Sequence, residues 1–364
     1  MAPQPRQGLP SPKTMRAWTH IRAGLPSEVL HLSSDIPIPA TLKPDEVLIK
    51  ISHAALNPGA SVMLQLIPMF FRTKPSIPEL DFSGTIAELG SSVASSRKLS
   101  PGTRVFGSVG PLGQHVNKGK GALAEYVVLS SEQVYPTPEG MKDEEAAGLG
   151  VAGCSALAYL DIAKIKEGER VLVNGASGGV GSLLVQMVKN VVGSSGHVVA
   201  VCSGRNEELV RGLGADEVID YREHAPVHKY LTEKYSQNKF DWVLDAYGIQ
   251  DLWFNCPSYL KPGKPFLSIG IQVPGYKYSS LLCAIGKLMS NMLWPRFLGG
   301  VDRSYAQVNG IANSKAMERL ARMVDEWKLK VPIDSVWSFE DVLQASSTLF
   351  VVFLANRCRH TRKS

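Results

Sequence analysis

The sequence predicts an α/β protein that joins a β-rich first part to a doubly wound parallel sheet. From residue 170 to residue 270, apolar runs of four to six residues alternate with helical segments, as in parallel strands that are buried on both faces. Before residue 140, strand-like segments are instead separated by Pro and Gly turns. A chain of 364 residues, 44% of them apolar, can fill about two such domains.

A glycine-rich turn follows the first apolar run of the parallel part. The strand at 170–174 runs into the turn 175–181, and an apolar helix comes next. Gly178 lets the backbone approach a pyrophosphate, and Gly181 lets the helix pack closely on the strand, while free N–H groups of the helix face the phosphate. A glycine-rich turn of any α/β protein is the alternative, but the strands that follow favour a Rossmann dinucleotide site. We expect this site to be formed by Ala176, Ser177, Gly178, Gly179, Val180 and Gly181.

The second strand of the parallel part predicts which dinucleotide binds. It ends at residues 202–206, where this architecture meets the adenosine ribose. That segment has no Asp or Glu to accept a hydrogen bond from the ribose 2′-OH of NAD. Arg205 can instead pair with a 2′-phosphate, and Ser203 can donate to it, which favours NADPH. The alternative for Arg205 is a solvated loop arginine. Because ligands bind at the carboxyl ends of parallel strands, we add Tyr221, Ala246 and Ile269 to the expected cofactor site.

With these features, the chain resembles the zinc-free quinone oxidoreductase group of the medium-chain dehydrogenase/reductase superfamily. The resemblance covers residues 15–345, and its segments keep the order of the family. Besides the glycine turn, they include Ala55-Leu-Asn-Pro58, Asp81-Phe-Ser-Gly84, Gly102-Thr-Arg-Val-Phe-Gly107, Val151-Ala-Gly-Cys-Ser-Ala-Leu157 and Gly214-Ala-Asp-Glu-Val-Ile-Asp-Tyr221. The resemblance implies a GroES-like, β-rich catalytic domain that is interrupted by a Rossmann domain for NADP.

The resemblance also gives expected domain boundaries. We expect a disordered leader at 1–14, the catalytic domain at 15–140, the Rossmann domain at 141–300 and a return to the catalytic domain at 301–364. The end of the chain departs from the family, which closes this domain with a glycine-lysine turn and a valine-rich strand. One interpretation is that the apolar run 349–354 replaces this strand. The other interpretation is a gene-model error or frame change within 346–364.

The residues that hold zinc in the metal-dependent relatives are missing from this chain. Those relatives have an early cysteine near positions 54–57, and none is present here. Their Gly-His-Glu signature falls on residues 79–81, so the ligand histidine is replaced by Leu80. Residues 1–153 contain no cysteine, which leaves no counterpart of the structural zinc lobe. The resemblance therefore implies a reaction without metal.

Zinc-free members of this family are expected to transfer a hydride to a quinone or to an α,β-unsaturated carbonyl. A donor must then stabilise the charge that develops on the carbonyl oxygen. Asn57 matches the family asparagine at the active-site cleft, with a turn former before Pro58 as the alternative. Ser155 matches a threonine position beside the nicotinamide, and Asp81 matches an acidic position, where an ion pair with a strand arginine is the alternative. Residues 56–79 contain no tyrosine, so no proton donor is predicted and a tyrosine-dependent thioester reductase is disfavoured.

The charge of the chain does not predict binding to nucleic acid. The formal net charge is +6, but residues 1–14 contribute +2 and residues 357–364 contribute +4, so the part between them is formally neutral. The sequence does not begin with an apolar secretory segment. Four prolines in the leader would break the amphipathic helix of a mitochondrial presequence. The five cysteines are scattered, as in a protein of a reducing compartment without disulfides. We therefore expect a cytoplasmic enzyme without transmembrane segment, acting on a small-molecule quinone or enone.

The segment 280–300 leaves a second functional class open. Its apolar residues form one broad helical face beside Lys287 and Arg296, which suits a helix lying on a membrane surface. The same face suits the dimer contact or substrate lid of the family, which we favour, so a homodimer is expected. A non-catalytic or membrane-peripheral interaction protein on the same fold is the alternative to a reductase. A tailoring dehydrogenase of secondary metabolism would share the reductase chemistry and differ only in its substrate.

Overall fold

The chain divides into two compact units in a computed structural model. The structure describes residues 13–67, 69–93, 97–110, 116–273, 277–348 and 352–354. One unit consists of Met1–Cys154 together with Ile311–Ser364, and the other of Ser155–Gly310. Most of the expected leader, residues 1–12, lies outside the described residues, and the first strand already begins at Thr14.

The secondary structure alternates as the sequence pattern predicts. The strands, in chain order, are β1 (Thr14–Thr19), β2 (His31–Pro37), β3 (Glu46–Ala55), β4 (Asp81–Leu89), β5 (Arg104–Ser108), β6 (Tyr126–Ser130), β7 (Val134–Pro136), β8 (Arg170–Asn174), β9 (His197–Cys202), β10 (Glu217–Asp220), β11 (Trp242–Asp245), β12 (Phe266–Ser268), β13 (Tyr305–Gln307), β14 (Val336–Ser338) and β15 (Val352–Leu354). The helices are α1 (Pro26–Val29), α2 (Pro58–Leu66), α3 (Asp143–Ala147), α4 (Gly150–Ala163), α5 (Gly179–Val192), α6 (Glu207–Gly212), α7 (Val227–Tyr235), α8 (Gln250–Asn255), α9 (Tyr278–Leu293), α10 (Ser314–Trp327) and α11 (Val342–Thr348).

The first unit is built around β3. Its main sheet has the strand order β14-β15-β3-β4-β5-β7, and β6 also pairs with β3. Because side chains alternate along a strand, Val47 and Ile49 face one core cluster while Leu48 faces another. All three side chains are fully buried, and each stabilises the fold by about 1.5–3 kcal/mol. This mixed, β-rich sheet is the predicted GroES-like domain.

The last described strand, β15, lies between β14 and β3. It runs parallel to β14 and antiparallel to β3, with Phe353 opposite Ala54. Without β15, residues 53–55 of β3 would present unpaired N–H and C=O groups at a sheet edge, whereas residues 46–50 are paired with β6. Within the apolar run 349–354, the described residues 352–354 supply a strand. Residues 349–351 and 355–364 lie outside the described part of the chain.

The second unit contains the doubly wound sheet. In its described residues, six parallel strands follow the order β10-β9-β8-β11-β12-β13. Counted within the unit, this order is 3-2-1-4-5-6, which is the Rossmann order. Sequence neighbours β8 and β9 pair on one side of β8, whereas β11 pairs on its other side, so the strand order reverses at β8. Dinucleotides bind outside the carboxyl ends of the strands at such a reversal.

Both unit boundaries lie later in the chain than the expected ends at 140 and 300. Helix α3 packs on β3 and β4, and the first turn of α4 packs against Asp81, so both contact the first unit. Strand β13 pairs with β12 and therefore extends the second unit beyond residue 300. The sequence pattern does not predict β13 because Tyr305-Ala-Gln307 is too short to show a period.

Helix α9 occupies the expected apolar segment. Ala284 is buried and Leu288 packs against the core of the second unit, whereas Leu282 is 70% exposed. Further exposed apolar residues on or next to this helix are Ile285, Met289, Met292, Leu293, Trp294, Phe297 and Leu298. Among the described residues, no helix is long and apolar enough to cross a membrane.

Candidate functional site

The glycine turn joins β8 to α5. Asn174 ends the strand, Gly175 has a φ of +73°, and α5 begins at Gly179. A left-handed φ explains the glycine at 175, because residues with a Cβ rarely adopt it. Gly178, which precedes the helix, has a φ of −81°, so its backbone makes no such demand. A glycine at 178 therefore provides space rather than a special backbone conformation.

Gly178 and Gly181 differ in what surrounds them. A Cβ on Gly181 would lie 2.1 Å from the carbonyl oxygen of Gly175 and 2.8 Å from the Cα of Ala176. No carbon atom fits at those distances, so Gly181 is needed for α5 to pack against the turn. A Cβ on Gly178 would meet the Gly175 oxygen at 3.3 Å, which the protein can accommodate. The space at Gly178 is therefore available to a ligand.

The glycine turn fits a dinucleotide phosphate. N–H groups in the first turn of a helix lack an intrahelical partner and attract anions. The N–H of Gly178 donates to the carbonyl of Gly175 at 3.0 Å and closes the turn. Asn206 Nδ2 donates to the hydroxyl of Ser177 at 3.0 Å, which ties the turn to the loop after β9. Sequence reasoning missed Asn206, because only the fold brings it next to Ser177.

The loop after β9 contains the residues that were predicted to select the cofactor. Ser203 is buried and Arg205 is exposed. A carboxylate also reaches this loop, since a Cβ on Gly204 would lie 2.3 Å from Oδ2 of Asp220. Sequence reasoning missed Asp220 because it considered only residues 202–206. The balance between this cation and this carboxylate decides whether a 2′-phosphate is favoured.

The other predicted cofactor residues lie at strand ends. Tyr221 follows β10, Ala246 follows β11 and Ile269 follows β12, all at the carboxyl edge of the parallel sheet. Tyr221 is 44% exposed, and the other two are half-buried. The three residues lie where the sequence pattern predicts them. Their role in binding the cofactor stays a prediction.

Asp245 has a structural role at the same edge. It is buried, and it accepts hydrogen bonds from Asn174 Nδ2 at 2.8 Å and from the Ser268 hydroxyl at 3.2 Å. Three N–H groups of the turn that follows β11 also donate to it. Burial raises its pKa, while these donors lower it. Asp245 thus fixes the ends of β8, β11 and β12 against each other.

In the first unit, Asn57 precedes α2 and is buried. Its side chain makes no capping hydrogen bond to α2, unlike an asparagine whose role is to form the turn. Instead, Nδ2 donates to Asp81 Oδ2 at 3.1 Å and, over 3.4 Å, to the carbonyl of Ala55. Both hydrogens of the amide are directed at the protein, which leaves Oδ1 as an acceptor.

Asp81 links Asn57 to the start of α4. Its Oδ2 also accepts the N–H of Val151 at 2.8 Å, a favourable contact because the helix dipole is positive there. The Ser108 hydroxyl favours the ionised form of Asp81, but it forms no hydrogen bond with this carboxylate. The other carboxylate oxygen, Oδ1, is buried and has no hydrogen-bond partner. Burial raises the pKa of Asp81 to about 6, against the effect of these donors. Among the described residues, no arginine pairs with Asp81, and the strand residue Arg104 pairs with Asp143 instead.

Glu79 is a functional candidate that sequence reasoning noted only as the residue at the glycine position of the zinc signature, next to Leu80. It is buried, its φ is +66°, and its Oε2 accepts the N–H of Asn57 at 3.0 Å. Burial raises the pKa of Glu79, and the neighbouring Asp81 raises it further. Two carboxyl groups therefore hold Asn57, one at its backbone and one at its amide. The signal in the sequence is a glutamate at the glycine position of a family signature.

Ser155 belongs to the second unit, whereas Asn57 and Asp81 belong to the first. It lies in α4 and is buried. Its expected role beside the nicotinamide stays a prediction.

The residues at the zinc positions of the metal-dependent relatives suit packing. Leu80 packs against the hydrophobic core of the first unit. No group of three or more His, Cys, Asp or Glu side chains among the described residues is arranged to hold a metal ion.

Comparison with known proteins identifies the family. The alcohol dehydrogenase GroES-like domain matches residues 43–139, and the zinc-binding dehydrogenase family matches residues 213–349. The trans-enoyl reductase poxH of Penicillium oxalicum is 35% identical over 91% of this chain and 94% of its own length. The chain belongs to the medium-chain dehydrogenase/reductase superfamily.

Two further similarities place the chain within the superfamily. An NADPH-dependent alkenal/one oxidoreductase of Arabidopsis thaliana is 33% identical over 73% of this chain and 66% of its own length. The quinone oxidoreductase structure from Coxiella burnetii is 26% identical, with a TM-score of 0.74, and the match covers 94% of this chain and all of that one. These matches confirm the predicted quinone oxidoreductase group and its GroES-like and Rossmann domains, and the fold implies a nicotinamide dinucleotide cofactor. They do not favour a non-catalytic interaction protein.

Proposed function

We propose that this enzyme uses NADPH, without zinc, to reduce a carbon–carbon double bond that is conjugated to a carbonyl group. The similarity to a trans-enoyl reductase over nine-tenths of the chain carries this proposal. The similarity to an alkenal/one oxidoreductase supports the same class of substrate. The likeness to a quinone oxidoreductase keeps quinones as the second candidate.

The glycine turn and the loop after β9 would hold the cofactor. Ala176 to Gly181 would receive the pyrophosphate at the start of α5, and Ser203 and Arg205 would receive the 2′-phosphate. Tyr221, Ala246 and Ile269 would line the edge of the sheet beside it. The reduced nicotinamide, when bound, supplies the hydride. Asp220 opposes a 2′-phosphate, so the choice of NADPH depends on Arg205 outweighing it.

Asn57, Asp81 and Ser155 are the proposed active-site residues of the chain itself. With both amide hydrogens of Asn57 directed at protein acceptors, its Oδ1 is suited to accept from a hydroxyl group. This changes the role that the family resemblance suggested, in which the amide of Asn57 donates to the substrate or to the ribose. Ser155 would then be the hydroxyl donor for the charge that develops on the carbonyl oxygen.

The substrate class can be tested with a panel of purified compounds. We expect NADPH oxidation with an enone or enoyl thioester, slower oxidation with a quinone, and none with a saturated ketone. Similar rates with the saturated ketone would indicate carbonyl reduction and refute the proposal. Faster turnover of quinones would favour the second candidate. A role as a tailoring reductase of secondary metabolism would share this reaction and specify only where the substrate comes from, and it stays a proposal.

We also propose that the enzyme is a homodimer. The exposed apolar face of α9 supports this, because monomeric proteins rarely leave so many large apolar side chains in water. Sedimentation of the parent protein and of Leu282→Glu should show a dimer that the substitution weakens. A monomeric parent would contradict the dimer, and binding to anionic vesicles would point to peripheral membrane contact instead.

A further inference from the structure

Asn57 is held from two sides by buried carboxyl groups. Glu79 Oε2 accepts its backbone N–H at 3.0 Å, and Asp81 Oδ2 accepts its side-chain Nδ2 at 3.1 Å. The Asn57 amide also favours the Glu79 carboxylate, although only the backbone N–H of Asn57 forms a hydrogen bond with it. Glu79 therefore acts mainly on the position of Asn57, and Asp81 on the direction of its amide.

Glu79 adopts a backbone conformation that residues with a side chain rarely use. Its φ is +66°, and the matching residue of the family signature is a glycine. Such outliers persist only where the surrounding structure enforces them, and they are concentrated at functional sites. A glycine would satisfy the backbone at 79 but could not contact Asn57. The contact is therefore the feature that a glutamate adds at this position.

We propose that Glu79 is a positioning residue that locks the backbone of Asn57, so that Asp81 can orient the amide with Oδ1 towards a hydroxyl group of the substrate or the cofactor. This inference rests on the proposed function, because it requires Asn57 at the reacting site. Glu79 itself touches neither reactant in this account. The hydroxyl group has two possible sources, which the experiments below distinguish.

The charges around Glu79 predict how its hold on Asn57 depends on pH. Asp81 is the acidic neighbour, and the cationic Arg72 and Lys120 line the same small cavity as Glu79. Burial raises the pKa of Glu79, and it lowers the pKa of both cations. Two buried carboxylates side by side repel each other, so the favoured state has a neutral Glu79 beside an ionised Asp81. Rising pH ionises Glu79, which strengthens its hydrogen bond to the Asn57 N–H but adds a second buried negative charge beside Asp81 and so lowers the stability of the fold.

Two substitutions at Glu79 test the proposal. Glu79→Gly should relieve the left-handed backbone yet lower kcat/KM roughly tenfold or more, because Asn57 loses its anchor. Glu79→Gln keeps an acceptor of the same shape and should recover most of that loss. Lys328→Gly, which relieves another left-handed residue with a φ of +55°, serves as the matched control and should leave kcat/KM unchanged.

Titration with NADPH distinguishes the sources of the hydroxyl group. If it belongs to the cofactor, Glu79→Gly weakens NADPH binding by the same factor as kcat/KM, and if it belongs to the substrate, NADPH binding is unchanged. A Glu79→Gly enzyme with the kcat/KM and NADPH affinity of the parent would overturn the proposal.

Thermal unfolding tests the charge arrangement around Glu79 without any substrate. A folded-state pKa above the ordinary value means that stability is lost as pH rises through it. The melting temperature of Glu79→Gln should therefore increase relative to the parent as pH rises, and a constant difference would overturn the charge arrangement. If the parent reduced no compound of the panel, the proposed function would fail while this measurement still reported on Glu79.

Discussion

The glycine turn after β8 and the carboxyl cluster around Asn57 differ in how far apart their residues lie in the sequence. All positions of the turn lie within residues 175–181, so their spacing is visible in the sequence. The cluster joins Asn57 to Glu79, Asp81 and, through Asp81, Val151, over sequence separations of 22, 24 and 70 residues. Only the pairing of β3 with β4, which sets Ala55 opposite Asp81, brings these residues together.

This difference predicts different responses to substitution. In the glycine turn, Gly181 is needed for folding and Gly178 only for binding the ligand. Single substitutions can therefore separate stability from cofactor binding. A cluster assembled from distant strands couples packing, charge and orientation in every member. Substitutions there should change turnover and its pH dependence, while cofactor binding in the second unit stays as a separate readout.

The largest effect is expected at Gly181. A Cβ there would lie 2.1 Å from the Gly175 oxygen, so Gly181→Val should lower the free energy of unfolding by about 3 kcal/mol or more. Denaturant unfolding measures this. Gly286→Val, at a helical glycine with nothing within 4 Å, is the matched control and should leave the free energy of unfolding unchanged or raise it by less than about 1 kcal/mol. Equal losses in both variants would contradict the packing role of Gly181.

Gly178→Val should leave the protein folded but weaken NADPH binding roughly a hundredfold, or about 2.8 kcal/mol. The protein tolerates a Cβ here, with the Gly175 oxygen at 3.3 Å and an ordinary backbone φ of −81°. The branched side chain would instead fill the space proposed for the pyrophosphate. Cofactor titration and a thermal melt give the two readouts. Binding as tight as in the parent would remove the glycine turn as the phosphate site.

Asp81→Ala should reduce kcat/KM roughly a hundredfold, because the amide of Asn57 loses its acceptor. In the parent, protonation of Asp81 should likewise lower kcat/KM, so turnover should fall as pH drops below about 6. Stability should change in the opposite direction. The folded-state pKa of Asp81 is above its ordinary value, so its protonation stabilises the fold as pH falls.

Asp81→Asn is the control for this behaviour, because it keeps the shape of the side chain and cannot titrate. Its turnover and its stability should both lose the dependence on pH near 6 that the parent shows. If the parent gained turnover as Asp81 became protonated, the orienting role of the carboxylate would be wrong.

The smallest effect concerns the choice of cofactor. We expect NADPH to bind about tenfold more tightly than NADH, a difference of about 1.4 kcal/mol. Arg205→Ala should remove this preference, and Asp220→Asn should increase it, because Asp220 Oδ2 lies next to Gly204. Titration of each variant with both dinucleotides measures the ratio. Equal affinities in the parent would refute the NADPH assignment.

Much of the second unit could be predicted because its strands and turn are local features. The apolar runs of β8 to β12 and the residues that follow them appear where the pattern places them. Asn206 and Asp220 could not be predicted, because their neighbours are defined by the pairing of β9 with β10 and by the folded loop. The boundary after residue 140 was set too early, because packing of α4 on Asp81 leaves no periodic signal.

The first unit was less predictable at the level of side chains. Asn57 and Asp81 were named from family resemblance, yet the direction of the Asn57 amide depends on hydrogen bonds that only the fold reveals. Glu79 was noted only at the glycine position of the zinc signature, although its left-handed backbone and buried carboxyl make it the most unusual residue of the cluster. The pairing of β15 between β14 and β3 likewise could not be predicted from the sequence, and both interpretations of the chain end stay open.

The central claim is reduction of a conjugated double bond by NADPH without zinc. The most direct test is to treat the purified protein with a chelator, confirm by elemental analysis that no zinc is bound, and identify the product from an enone and NADPH by mass spectrometry. We expect the saturated ketone, formed in equal amount to the NADPH consumed and at the rate of the untreated protein. An allylic alcohol as product, or turnover that returns only when zinc is added, would contradict the claim.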